Sequence, residues 1–319
     1  MPATSISRAD RAGVPPHSTA VVARAFSPTT VPPGVSPVGP HGNRDGYPDF
    51  GSRHGLPHYA VLLPRCAARA VATTAIILLA LAANAAPPPA AQAEAQRMER
   101  LYITAQTNYH AAPADAESAR RFGQACFNWA EFATNSPQRA ALAEEGIAAS
   151  RQAIARAPTN GAAHYVLGLN LGQLARTRTL GALKLVSQME KAFQQAIALD
   201  AGFDYAGPHR LLGLLYQKAP GWPASIGSKK KARLHLQKAA ELAPDYADNW
   251  LCLLEACLEW DDQAAVKKWL PKVEASLQQG RSQLTGANWA WTWQDWEARW
   301  RTIQDQAAHL APWPAVKAH

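Results

Sequence analysis

Cysteine, charge and long apolar runs are all scarce in this chain, and each scarcity excludes something. There are four cysteines in 319 residues, with neither a Cys-x-x-Cys pair nor a Cys/His set at zinc spacing, so no zinc module is expected. Cys126, Cys252 and Cys257 lie beyond residue 85. The last two are five apart, about 140° around a helix, so they diverge and are expected as small core residues, not a disulfide. No P-loop, GxSxG, HExxH or Gly-rich dinucleotide turn is present. The adjacent carboxylates Glu144-Glu145 and Asp261-Asp262 point apart on a helix and cannot flank one substrate bond. Catalysis has no foothold here, and no cofactor or metal is expected. Charged residues make up 18%. The net charge of +8 divides into +4 over residues 1–85 (7 basic, 3 acidic) and +4 over 86–319 (25 basic, 21 acidic). That is too mild and dispersed for a nucleic-acid surface.

What the chain does have is unevenly spread. Ten of its prolines and seven of its glycines fall in residues 1–60, which contain no lysine. That stretch has no sustained apolar period and reads as a disordered leader. Residues 61–85 then read as a signal peptide. Arg65 and Arg69 form its basic start, the uncharged stretch Ala70–Ala83 follows, and Ala83-Asn84-Ala85 offers a small-x-small cleavage pattern, with cleavage after Ala85. At 1.5 Å per residue those 14 uncharged residues cover about 21 Å, short of a ~30 Å hydrocarbon core. Export to the periplasm or out of the cell is therefore expected, with Val61 as the expected true start. A membrane anchor is the alternative. Cys66 precedes the apolar stretch, so no lipoprotein-type cysteine stands at the cleavage site.

Beyond a Pro/Ala linker (residues 86–94) the chain repeats itself. His164-x2-Leu167-Gly168-x2-Leu171 returns as His209-x2-Leu212-Gly213-x2-Tyr216, and more loosely as Trp250-x2-Leu253-Leu254-x2-Cys257. Met189-x3-Phe193-x2-Ala196-x4-Ala201 returns as Ala232-x3-Leu236-x2-Ala239-x4-Pro244, with a partial earlier copy in Gly146-x3-Ser150-x2-Ala153-x4-Pro158. Spacings of three and four keep one stripe of each helix buried, which is the pattern of paired antiparallel helices. Gly168 and Gly213 let a neighbour approach closely, and Pro158 and Pro244 stop the second helix. The pattern resembles the tetratricopeptide repeat. The expected fold is an all-α, tetratricopeptide-like helical-hairpin solenoid of three to four helix pairs over residues 95–279. The period exceeds the usual one by inserts at residues 173–184 and 218–228, which a solenoid gathers on one face. A Trp-rich segment, residues 280–319, closes the array. Trp289, Trp293, Trp296 and Trp300 share one helical face there, and Trp291 lies off it.

Residues 207–244, GPHRLLGLLYQKAPGWPASIGSKKKARLHLQKAAELAP, are similar to the T component of tripartite ATP-independent periplasmic (TRAP) transporters. The shared features are the Gly-Pro-His start, the Leu-Gly pair, the Pro/Gly-rich insert, and Lys231-Ala232-x2-His235 leading to Leu242. The resemblance implies an exported repeat protein that docks a periplasmic solute-binding receptor. The chain departs from that family in lacking the lipoprotein cysteine of some members and in its Trp-rich tail.

Repeat arrays grip partners along their inner face. Helix phase places Tyr165, Arg210, Gln217, Asp248 and Glu255 there, and Trp222 stands in the Pro-bracketed insert as an aromatic anchor or a plug beneath it. His164 and His209 occupy one slot in successive repeats, and Trp250 fills it next. That favours packed histidines over metal ligands. His235 is expected to be solvated. Lys229-Lys230-Lys231 opposes the helix dipole, so it is not there for helix stability. It suits an acidic partner, anionic lipid or solvent. The Trp-rich helix could instead meet a membrane or a second copy. Two other functions stay open: a scaffold for envelope or secretion assembly, and an apolar small-molecule binder using Ala162, Leu169, Gly172, Gly207 and Leu214.

Overall fold

The computed structural model describes residues 89–178 and 181–310. The expected leader, signal segment, Val61 start and Trp313 lie outside them. Among the described residues ten α-helices follow one another: α1 (Pro89–Ala111), α2 (Ala116–Ala130), α3 (Ser136–Arg156), α4 (Gly161–Ala175), α5 (Ala182–Asp200), α6 (Phe203–Lys218), α7 (Lys229–Leu242), α8 (Ala247–Glu259), α9 (Gln263–Gln283) and α10 (Ala290–Ala308). Local chemistry sets many of the starts. Asp115, Asn135, Asn160, Ser228 and Asp262 each accept a backbone N–H in the first turn of α2, α3, α4, α7 and α9. Helix α1 already begins at Pro89, inside the expected linker. Proline suits a first helical turn, and the Ala-Gln-Ala-Glu residues after it are good helix formers.

Each helix packs antiparallel to the next in four pairs, α2/α3, α4/α5, α6/α7 and α8/α9, which makes this an all-α helical solenoid. First helices of neighbouring pairs also touch one another, α2 with α4, α4 with α6 and α6 with α8. They form the inner row. The repeat glycines work as their spacing predicts. A Cβ on Gly168 would lie 2.4 Å from the Phe193 ring, and one on Gly213 would lie 2.8 Å from Leu236. Phe193 and Leu236 are equivalent residues of the second helices, and Ala153, Ala196 and Ala239 beside them are fully buried. Helices α3 and α7 end at Arg156 and Leu242, just before Pro158 and Pro244.

The slot held by His164, His209 and Trp250 exposes a difference between repeats. His164 Nε2 lies 3.1 Å from the Pro158 carbonyl, and Trp250 Nε1 donates to the Pro244 carbonyl at 2.8 Å. In both, a ring nitrogen six residues on fastens the new helix to the end of the old one. His209 stands eight residues after Ala201, the residue equivalent to those prolines. A left-handed turn takes up the two extra residues: Asp204, Tyr205 and Ala206 have φ of 51°, 54° and 61°. His209 turns instead to His235, with their Nδ1 atoms 3.0 Å apart. His235 is thus half-buried in a pair and not solvated as expected, because its helix position faces α6.

Helix α10 does not continue the stack beyond α9. It turns back at Leu284–Gly286 and packs on α8 of the inner row. Asn288, just before α10, receives a hydrogen bond from Arg97 of α1 at 3.4 Å, and Trp291 lies 6.4 Å from Phe132 in the α2–α3 turn. The C-terminal segment therefore touches both ends of the array from its inner side.

Candidate partner-binding surface

The left-handed kink at Asp204–Ala206, inside the first turn of α6, sets up the chemistry of the inner row. The left-handed turn brings the Asp204 carboxylate to Tyr165, whose hydroxyl donates to it at 2.5 Å, and to within 3.7 Å of Arg210 Nη2. Arg210 emerges from α6 with its side chain 1% exposed. Its Nη1 donates to Asn249 Oδ1 at 2.8 Å, its Nε lies 3.4 Å from Asp248 Oδ2, and its guanidinium sits 5.1 Å over the Tyr246 ring. Asn249 Nδ2 is 3.0–3.1 Å from the carbonyls of Tyr205, Ala239 and Ala243. One amide thus ties together the left-handed turn, the end of α7 and the start of α8.

Asp248, fully buried on α8, faces a second cation from its other side. Arg299 of α10 places Nη1 2.5 Å from Asp248 Oδ1, and its Nε and Nη2 reach the two oxygens of Glu255 at 2.7 and 2.8 Å. Its Nη1 also lies 3.5 Å from Asp295 one turn back on α10. Three residues before Arg299, Trp296 is fully buried, edge-on to Tyr246 with ring centres 5.1 Å apart. Four residues after it, Ile303 is also buried. Trp296, Arg299 and Ile303 thus form one stripe that docks α10 on the inner row.

Electrostatics follow from burial. Desolvation raises the Asp204 carboxyl to about 6, opposed by Arg210 and the Tyr165 hydrogen bond. Burial also works against the charge on Arg210 and Arg299. Asp248 for the first, and Glu255 with Asp248 for the second, more than offset it and hold both guanidiniums above their ordinary range. A second polar ladder runs along the C-terminal ends of the inner helices. Gln217 Nε2 donates to Glu259 at 2.8 Å, Lys218 joins the same carboxylate, and Arg176 bridges to Glu131 at 3.2 Å.

The six residues singled out in the sequence therefore fall into two groups. Tyr165, Arg210 and Asp248 are buried in one internal network, Glu255 is its partly exposed edge where Arg299 docks, and Gln217 is tied to Glu259. Inner-face placement came from helix phase, but the left-handed turn and α10 cover Tyr165, Arg210 and Asp248, which are therefore not an open surface. Trp222 stands apart, 87% exposed at the tip of the insert. Arg299, Asp204 and Asn249 were not foreseen, and Trp296 was placed on the tryptophan face of the closing segment without its contact to Tyr246. The spacing of Trp296, Arg299 and Ile303 at i, i+3 and i+7 was the available signal for α10.

Trp289, Trp293 and Trp300 are half-buried against the core, and Trp293 Nε1 donates to the Leu284 carbonyl at 2.7 Å. The tryptophan stripe of α10 thus faces the chain itself. Among the described residues no helix is long and apolar enough to cross a membrane, and no group of three or more His, Cys, Asp or Glu could hold a metal.

No protein-family model matches the chain, and no curated protein matches it. Among solved structures, the chain is similar to TTC0263, described as a thermophilic TPR protein in Thermus thermophilus. The two share 17% identity over 66% of this chain and 91% of that one, with a TM-score of 0.47. Helix pairing and repeat register carry the fold assignment made above.

Proposed function

We propose that the chain is a non-enzymatic helical-repeat scaffold that holds another protein on its inner row, and that it serves as an accessory subunit of a TRAP-type solute-uptake system by docking a solute receptor. The observation that carries this reading is α10 itself. The inner row already seats a helix, through an aromatic against Tyr246 and a bidentate cation on Glu255. A partner helix with an aromatic and a basic residue three apart meets the same groups, in the helix-in-groove mode of recognition. The transporter role draws support from the resemblance over residues 207–244, and the periplasmic location from the signal pattern of residues 61–85.

Tagged full-length chain and its Arg299→Ala variant are to be used for capture from native envelope extract, with bound proteins identified by mass spectrometry. A solute receptor recovered by both, and more abundantly by the variant whose α10 is loosened, is the expected result. Secretion or envelope-assembly proteins in place of a receptor would overturn the transporter assignment and leave a general scaffold.

A further inference from the structure

The insert between α6 and α7 carries a surface unrelated to the inner row. Residues 219–228 are a fastened loop. Gly227 N–H donates to the Pro220 carbonyl at 2.8 Å and Ser228 N–H to the Tyr216 carbonyl at 2.9 Å. Ala224 and Ser225 N–H both donate to the Gly221 carbonyl, at 3.1 and 3.2 Å. The backbones at Gly227 and Ala219 approach so closely that a Cβ on Gly227 would lie 2.1 Å from the Ala219 oxygen. Ile226 packs inward on the core. Every link holds the loop down except its tip, where Trp222 stands 87% exposed.

Gly221, next to Trp222, pairs with Gly227, and two residues after Gly227 the first turn of α7 displays Lys229, Lys230 and Lys231, all exposed, with no acidic residue in the turn. Leu234, 63% exposed, follows on the next turn. Of the carboxylates on the adjoining α8–α9 turn, Glu259 pairs with Lys218 and Asp262 with Arg233 at 2.6 Å, which leaves Asp261, exposed, as the remaining acid there against three lysines. Lys229 also lies 5.4 Å over Trp260, and Lys231 lies 4.9 Å over Tyr216. Lys229 Nζ also reaches the Trp260 carbonyl at 3.5 Å and lies within electrostatic reach of Asp262, whereas neither Lys230 nor Lys231 forms an ion pair with a described carboxylate.

We infer that this edge of the solenoid docks on an anionic lipid bilayer, with Trp222 entering the headgroup region and Lys229, Lys230 and Lys231 meeting lipid phosphates. Charge complementarity and shape favour lipid. A protein hot spot is an aromatic within a packed patch ringed by neighbours that exclude water. Trp222 instead stands exposed on a hydrogen-bonded loop that runs directly into three exposed lysines. An indole placed in that way suits the half-wet interface of a bilayer. Each lysine near an anionic leaflet strengthens binding by roughly fivefold, and salt screens the effect. The indole, already held in place, loses little conformational freedom on insertion.

The test is flotation of the full chain with vesicles of phosphatidylcholine alone and of phosphatidylcholine containing about one-third phosphatidylglycerol, at low and high salt. Binding is expected to favour the anionic vesicles and to fall with salt. Trp222→Ala should weaken it on the order of tenfold, and Lys229→Glu with Lys230→Glu by more than that. Both variants alter exposed side chains, and circular dichroism checks that helix content is retained. Residues 61–86 are present in every sample, so any binding they contribute is common to all. No preference for anionic vesicles, or a preference that both variants retain unchanged, would overturn the inference. So would a Trp222→Ala chain that loses a protein partner but floats as well as the parent.

Discussion

Arg299 and Asp248, 51 residues apart in sequence, meet at 2.5 Å where α10 crosses the inner row. Arg210 lies on the other side of the same carboxylate, with Nε 3.4 Å away. One buried anion thus sits between two guanidiniums, and only one of them belongs to the repeat array. Attachment of the C-terminal helix is therefore tied to the electrostatic balance of the core.

Arg299→Ala is expected to remove the cation that neutralises Glu255 and shares Asp248. Loss of one partner of a buried pair destabilises by about 3–5 kcal/mol, and the Arg299 side chain is only 10% exposed. The urea midpoint should fall accordingly. Trp296 fluorescence should shift to the red, and protease should cut in residues 284–289 first. A variant that melts with the parent and resists cleavage would mean that Trp296 and Ile303 alone hold α10.

Much of this fold was legible because repeats write the same contact several times. Gly168 against Phe193 and Gly213 against Leu236 are one contact made twice, so spacing alone revealed both the pairing and its phase. The inner network was half legible. Helix phase grouped Arg210, Asp248 and Glu255 on one side of their helices, but phase carries no information about what returns to cover them. Arg299 reaches Asp248 only because the chain reverses at Leu284–Gly286, where Gly286 has φ of 93°. Local pattern does not fix the target of such a reversal. The left-handed turn was equally hidden, since Asp204, Tyr205 and Ala206 contain no glycine to announce positive φ. The two-residue lengthening between Ala201 and His209 was its sequence trace.

Overpacking the repeat contact should be expensive at both copies. Gly168→Leu and Gly213→Leu insert a side chain where even a Cβ would lie 2.4 Å from Phe193 or 2.8 Å from Leu236. A loss of about 1–3 kcal/mol is expected for each, or roughly 2–4 °C in melting temperature per kcal/mol for a domain of this size. Gly202→Ala is the control, because its Cβ would meet only Asp200 at 3.7 Å. If all three variants melt alike, the glycines are not what sets the helix spacing.

Asp204 has two duties that substitution separates. It adopts φ of 51°, which Asp and Asn tolerate better than other side chains with a Cβ, and it accepts the Tyr165 hydroxyl. Asp204→Asn keeps both the tolerance and an acceptor, whereas Asp204→Ala loses both and leaves the buried Tyr165 hydroxyl unpaired. The alanine variant is expected to be less stable than the asparagine variant by about 1–3 kcal/mol, measured by denaturant unfolding at neutral pH. Equal stabilities would show that neither the turn nor the hydrogen bond depends on this side chain.

Protonation at the His209–His235 pair should weaken the α6–α7 contact in mild acid. Burial, then His235 and Lys238, lowers His209 from its ordinary 6.5 to about 4, and burial with Lys231 lowers His235. The unfolded chain therefore binds more protons than the folded one between pH 6.5 and 4. The pair's contribution is complete above 6.5 and declines as pH falls through that window. Asp204 works in the opposite sense: raised from 3.8 to about 6, it favours the folded state as pH falls from 6 towards 3.8. The two effects overlap, so the informative quantity is a difference between chains. His209→Phe fills the slot without titrating. The stability gap between the parent and this variant should move in the variant's favour from pH 7 to pH 5, measured by urea unfolding at each pH. A gap constant with pH would mean that the two rings accept a proton as readily in the folded chain as in the unfolded one.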